Sequence, residues 1–191
     1  MIFVLALGNK MVFERELMDT TKSEWETRRD ISSFVLSESE IASIISRASH
    51  AVVSWVTKSN QPVTAVMLFA VVDGLITVTS TTNRAKYHAW RRNPSSSFCI
   101  WDPENIGKQI TLRGNVKISQ DNDLLREYTK YFLTRAMGGK EPSKERLEKE
   151  LATFLAPDRY MMQLLVDKTL SHDLDSLLHR ERELRNGDKQ S

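Results

Sequence analysis

The chain has 191 residues and a mass of 21.9 kDa; it is 40% hydrophobic and 27% charged, with a net charge of +2. That length suits one compact domain with appendages, the apolar share is too high for a disordered chain, and the near-neutral balance argues against a general nucleic-acid binder. A lone cysteine, Cys99, excludes an internal disulfide framework and a multi-cysteine zinc site, and the seven glycines form neither GxGxxG nor GxxxxGK[ST].

Residues 1–36 read as a mobile N-terminal arm. Ile2 to Leu7 is a short apolar leader that falls far short of the ~20 residues of a membrane span and lacks the basic region of a signal peptide, with Met11 or Met18 as a later true start. The expected compartment is therefore a reducing cytoplasm, with no membrane partner. Ser37 or Ser39 caps a helix that carries Glu40 in its first turn and Ile41, Ile44 and Ile45 at helical spacing. His50 to Lys58 is rich in β-branched and aromatic residues, Ser59 to Pro62 is a turn cluster, and Val63 to Val72 is a second apolar run. Asp73-Gly74 signals a hairpin leading to a strand over Leu75 to Thr81, so the three strands are expected to form an antiparallel meander.

Arg84 to Arg92 reads as a short helix capped by Thr82 or Asn83 and stopped at Asn93-Pro94. Strands follow over Ser97 to Trp101 and Gln109 to Ser119. The second has Ile110, Leu112, Val116 and Ile118 on one face, and Gly114 marks a bulge or a barrel corner. Asp121 to Met137 and Ser143 to Leu155 are amphipathic helices separated by Gly138-Gly139. Tyr160 to Val166 is a late strand, and the charged tail from His172 to Arg185 is helical. The fold class is mainly β with α decoration: an antiparallel six-stranded barrel with flanking helices. Its domain spans residues 37–168, including the inserted helices 121–156, and 169–191 form a C-terminal helical tail.

Charge is unevenly distributed. Ile41 to Trp101 holds Arg47, Lys58, Arg84, Lys86, Arg91 and Arg92 against Asp73 alone, a local +5 within a chain of +2. This points either to a small anionic ligand or to a solvated basic face. The stretch Thr77 to Pro94, TVTSTTNRAKYHAWRRNP, ends a strand in hydroxyls and opens a helix with Arg84 and Lys86. Helix N-termini present free N–H groups and a positive dipole end, which suits a phosphate; capping plus exposed cations is the plainer alternative. His50, His88, His172 and His179 form no HxH or HExxH pair, so no metal site is expected. Cys99 sits mid-strand between Phe98 and Ile100, as a core thiol does.

Pro62 with its strand, the Asp73-Gly74 hairpin, and TSTTNRAKYHAWRRNPSSSFCIWDPENIGKQITLRG together resemble the flavin-binding split-barrel superfamily of pyridoxamine-phosphate oxidases and deazaflavin-dependent oxidoreductases. The deazaflavin branch is nearer: a lysine (Lys86), an Arg-Arg-x-Pro helix end (Arg91 to Pro94), a strand, an Asp-Pro-x-Asn loop (Asp102 to Asn105) and a strand reaching Gly114. The resemblance covers roughly residues 40–120. It implies an FMN- or deazaflavin-dependent (coenzyme F-420) oxidoreductase acting on a small-molecule substrate, a homodimer with the cofactor at the subunit interface. It assigns the cofactor phosphate to Lys86, Thr79 and Ser80, with Arg84 nearby, and the ring to Thr64, Val66 and Met67. Gln109 falls where those oxidases have a flavin-contacting glutamine, and Trp101 stacks near the ring. Ordinary barrel core is the alternative for Trp101, Val66 and Met67. No catalytic side chain is implied, because the cofactor carries the hydride. The sequence departs from the oxidase pattern at Ala65 and Ala70, where an arginine and a lysine are expected, at Gln61 in place of glycine, and at Val66 in place of a frequent proline. It also lacks their arginine-rich C-terminal segment, which argues against vitamin B6 oxidation. A haem-binding or haem-degrading protein using His50 or His88, and a non-catalytic flavin-binding regulatory protein, are the other readings.

Overall fold

A computed structural model describes residues 34–187; the expected N-terminal arm falls largely outside them. Helix α1 (Glu38–Arg47) opens on a capping box, in which the Ser37 hydroxyl accepts from the Glu40 N–H while the Glu40 carboxylate accepts from the Ser37 N–H. Strands β1 (His50–Val56), β2 (Pro62–Leu68), β3 (Ala70–Val72) and β4 (Leu75–Thr81) follow, then α2 (Ala85–Arg92), β5 (Ser95–Asp102), β6 (Asn105–Ser119), α3 (Asn122–Ala136), α4 (Lys144–Phe154), β7 (Arg159–Asp173) and α5 (Leu174–Gly187).

The seven strands make one antiparallel sheet in the order β2-β1-β5-β6-β7-β4-β3. Its two edge strands are consecutive in the chain and separated by Phe69 alone. A flat sheet of seven strands is about 29 Å across, a distance no single residue spans. The sheet must therefore curl until its edges meet. The expected count of six strands is corrected here: the apolar run Val63 to Val72 breaks at Phe69, its first half pairing with β1 and its second with β4. The expected meander is corrected with it, since β4 lies between β3 and β7 and not beside β2. Asp73 and Gly74 both have positive φ, 52° and 76°, which closes the β3–β4 hairpin in two residues.

Curling divides the apolar residues into two clusters. Inside the barrel lie Val53, Phe69, Ile76, Val78, Phe98, Ile100, Ile110 and Leu164, each almost fully buried. The second cluster sits on the outer face of β3, β4 and the first half of β7. There Ala70, Val72 and Met161 are covered by Leu125, Tyr128 and Leu151 of the α3–α4 hairpin. Asp121 and Ser143 cap those two helices through their side chains. The outer face of β2, β1, β5, β6 and the second half of β7 carries no such helix hairpin, and it leaves Val66, Leu68, Leu165 and Leu170 exposed.

Gly114 lies at a register shift between β6 and β7, as expected of a barrel corner. Its φ is ordinary; what demands glycine is space, because a Cβ there would sit 1.9 Å from the Leu165 carbonyl oxygen. Strand β7 continues to Asp173, seven residues beyond the expected Val166, and so forms the long wall against β6.

At the end of the barrel nearest α1, Arg47 makes a two-point ion pair with Asp102 (3.1 and 2.9 Å), and Lys108 meets Glu40 at 3.0 Å. Asp102 also accepts from the Glu104 N–H, which closes the Asp-Pro-Glu-Asn loop. The Glu104 N–H and the Arg47 guanidinium hold the Asp102 carboxyl below its ordinary range. The Ser37 N–H, with Lys108, brings Glu40 down to about 2. A carboxyl whose pKa is depressed in the folded state adds stability above its unfolded pKa and loses it as pH falls toward the folded value. The thermal midpoint should therefore fall between about pH 4.5 and pH 2, and Arg47→Ala should lower the midpoint at pH 7 and flatten that limb only in part, because the Glu104 N–H still holds Asp102 down and Glu40 keeps its own partners. Circular-dichroism melts across that range check both; an acid limb and a pH 7 midpoint both unchanged in Arg47→Ala would remove the Arg47–Asp102 pair from this account.

Candidate functional site

Strand β4 ends in consecutive hydroxyl residues, and alternation sends neighbours to opposite faces. Ser80 is 4% exposed on the face shared with Ile76 and Val78. It lies directly opposite Tyr160 of β7, whose ring meets the buried Tyr87 ring at 4.9 Å. Thr79 faces the other way: its hydroxyl donates to the Tyr160 carbonyl oxygen at 3.0 Å and accepts from Arg159 at 3.4 Å. The two hydroxyls assigned to one phosphate thus sit on opposite faces, and only Ser80 lies toward α2.

Helix α2 starts from Arg84, which occupies the N-cap position in extended conformation and makes no side-chain cap. The expected caps are otherwise engaged, with the Asn83 side chain accepting from the Thr81 hydroxyl at 2.6 Å. The first N–H groups of α2 consequently have no side-chain acceptor, at the positive end of the helix dipole. Tyr87 and Trp90 bury one side of α2 in the barrel mouth, and Trp90 Nε1 donates to the Ser54 carbonyl oxygen at 3.1 Å. That packing fixes where the helix starts. Lys86 is half-buried there, and its ammonium is pushed below the ordinary lysine range by burial first and by the neighbouring Arg84 charge second. No carboxylate among the described residues forms an ion pair with Lys86 or Arg84. Lys86 and Arg84 lie at this turn with uncapped N–H groups, and Ser80, whose hydroxyl donates to the Thr81 carbonyl oxygen at 3.4 Å, ends the strand that leads into it; as a donor set these fit a phosphate.

On β2 the side chains alternate: Thr64, Val66 and Leu68 are exposed on the outer face, and Val63, Ala65 and Met67 turn inward, with Met67 packed on the core. The structure therefore separates Met67 from Thr64 and Val66. Continuing the β3–β4 register past Phe69 would set Thr81 beside Val66, yet β2 pairs with β1 and the end of β4 pairs with β7. The end of β4 is therefore not hydrogen-bonded to β2, which leaves the sheet open between Val66 and the β4–α2 turn. Trp101 and Gln109 are half-buried cross-strand neighbours on β5 and β6, with Gln109 Nε2 donating to the Ile106 carbonyl oxygen at 3.1 Å. Register places them on the same outer face as Val66.

The fold has counterparts among solved structures. A conserved hypothetical protein of Mycobacterium tuberculosis superposes with a TM-score of 0.64 at 22% identity, covering 73% of this chain and 86% of that one. The chain has the pyridoxamine-phosphate-oxidase-like split-barrel fold. General stress protein 26 of Bacillus anthracis shares the split barrel at a TM-score of 0.54 and 18% identity, over 71% of this chain and 92% of its own. So does a pyridoxamine 5'-phosphate oxidase-related, FMN-binding protein of Nostoc punctiforme, at 0.53 and 14%, over 72% and 84%. No family model and no curated protein matches the sequence.

Several features of this split barrel left no local trace in the sequence. Arg159 reaches Thr79 across 80 positions, and Tyr160 closes on Tyr87 from a strand expected only for its apolar run. Of the basic stretch, Arg47 is bound to Asp102, Arg92 donates to the Val56 carbonyl oxygen, and Arg91 lies over the Tyr87 ring. Lys58, Arg84 and Lys86 form no ion pair among the described residues, and of these Arg84 and Lys86 stand together at the β4–α2 turn. The candidate haem ligands do not converge: His50 is exposed on β1 with Nδ1 bonded to Ser49, and His88 is exposed on α2. Among the described residues no three His, Cys, Asp or Glu side chains gather as a metal site, and no helix is long and apolar enough to cross a membrane.

Proposed function

We propose that this split barrel is a homodimeric, cytoplasmic oxidoreductase that binds FMN or the deazaflavin coenzyme F-420 and moves a hydride to or from a small organic substrate. The observation that carries the reading is the cradle at the β4–α2 turn: a Lys86 charge disfavoured by burial and by Arg84, with no ion-pair partner for either among the described residues, at a helix N-terminus lacking a side-chain cap. An anion there removes the like-charge penalty and satisfies the free donors together. Lys86, Arg84 and Ser80 hold the phosphate, while Thr79 anchors β4 to Arg159 from the opposite face. Thr64, Val66, Trp101 and Gln109 offer the outer face of the sheet to the ring, and Met67 supports β2 from inside. When bound, the cofactor supplies the hydride chemistry itself. The protein's contribution is to fix the phosphate end, orient the ring on the sheet and shape the pocket above it.

The exposed apolar residues Val66, Leu68, Leu165 and Leu170 on that sheet face support a second copy as its cover. Sedimentation should give a dimer, and Val66→Asp with Leu68→Asp should shift it toward monomer with loss of cofactor affinity; a monomeric wild type would remove the interface. Turnover separates this reading from a binding-only regulator. The loaded protein should oxidise or reduce an electron carrier at many times the rate of free cofactor, and a loaded protein that never turns over would leave binding without catalysis.

A further inference from the structure

A second cavity lies at the opposite end of β4 from the cradle, about 20 Å along the strand. It has a volume of about 390 Å³ and opens between the β3–β4 hairpin and helix α3. Val72 gives it an apolar floor from the outer face of β3, with Val71 beside it turned toward the barrel, Tyr131 is an aromatic wall, and Asp73, Glu127 and Thr134 stand around the rim. The size and the mix of apolar floor with a few polar groups are those of a small-molecule site.

Which charge such a molecule carries follows from what the lining groups already bind. Of the two cations here Lys130 is paired with a carboxylate, while Arg135 has its donors engaged by neutral carbonyls and keeps its charge. The Arg135 guanidinium donates to the carbonyl oxygens of Ser46 and Ala48 at 3.1 and 2.9 Å, and also to that of Arg47, closing the C-terminus of α1. Lys130 pairs with Glu141 at 2.9 Å. Asp73 and Glu127 form no ion pair among the described residues. Tyr131 accepts from Arg135 at 3.4 Å, and its oxygen keeps a second lone pair for a further donor. The lining thus holds three carboxylates, Asp73, Glu127 and Glu141, against Lys130 and Arg135, a net charge of −1 beside an aromatic ring, which suits an ammonium on a short alkyl chain and disfavours an anion.

We propose that this cavity binds a small primary amine, with Asp73 and Glu127 receiving the ammonium, Tyr131 beside it and Val72 under the chain. The site is separate from the cradle and does not depend on the cofactor reading. The test is calorimetric titration of the full-length protein with 1,4-diaminobutane, with 1,4-butanediol and succinate as neutral and anionic counterparts. The expected result is saturable binding of the diamine alone, weakened at least tenfold in Glu127→Gln combined with Asp73→Asn and unchanged in Lys86→Ala. Asparagine tolerates the positive φ at position 73, so the double variant should keep the hairpin, and an unaltered circular-dichroism melt verifies that. Non-saturable heats, equal affinity in the double variant, or binding of succinate or the diol would each overturn the proposal.

Discussion

Lys86→Ala should lower the affinity for FMN or deazaflavin by about 2 kcal/mol, roughly thirtyfold, with the fold intact. The size follows from what the lysine does in the empty cradle. Its charge is half-buried and repelled by Arg84, so in the free protein it is held at a cost that a bound phosphate relieves. Removing it takes away one charge-assisted contact and leaves Arg84, Ser80 and the α2 N–H groups in place, so binding weakens without vanishing. Arg84→Ala, at an exposed position, should cost less. Because Lys86 has no ion-pair partner among the described residues, its removal should leave the thermal midpoint of the cofactor-free protein nearly unchanged. Fluorescence titration with each cofactor, alongside a melt of the cofactor-free variant, checks both halves. Equal affinity in wild type and Lys86→Ala would remove the phosphate from this turn.

The second large effect concerns the barrel itself. Gly114→Ala should destabilise the protein by about 3 kcal/mol or more and lower its midpoint by roughly 6–12 °C, because the added methyl meets backbone rather than a movable side chain. The nearest atoms are the Leu165 carbonyl oxygen and carbon at 1.9 and 2.8 Å and the Val166 Cα at 3.0 Å. Only separation of β6 from β7 at the bulge makes room, and these two strands share the longest ladder in the sheet. Gly74→Ala is the instructive contrast: nothing lies within 4 Å of a Cβ there, so its smaller cost comes from a positive φ alone. A Gly114→Ala midpoint within a degree or two of wild type would show that the corner opens freely.

Local chemistry accounts for most of what the sequence made legible. Ser37, Asp121 and Ser143 are helix caps because their side chains answer N–H groups within three residues, and Asp73-Gly74 closes a hairpin by its own backbone preference. Gly114 was readable as an interruption in a clean alternation. What escaped depends on distant partners. Val63 to Val72 looks like one strand because Phe69 is apolar like its neighbours, and only the closure of the sheet shows that the two halves serve opposite edges. Strand β7 beyond Val166 is mostly polar, with Leu170 exposed and Ser171 buried, and its register shifts at the bulge, so no period of two marks it. Thr79 and Ser80 are indistinguishable as hydroxyls in a row; the pairing of β4 with β7 turns one toward the cradle and the other toward Arg159. Met67 was grouped with Thr64 and Val66 by family pattern, and strand alternation separates them.

The most direct test of the central claim is the absorbance and fluorescence spectrum of the purified protein and of its heat-released supernatant, repeated after adding FMN and the deazaflavin in turn. The account predicts a flavin or deazaflavin spectrum in the supernatant, or stoichiometric binding of one of the two on addition. A colourless protein that binds neither would contradict it, leaving a split barrel whose β4–α2 turn serves some other anion.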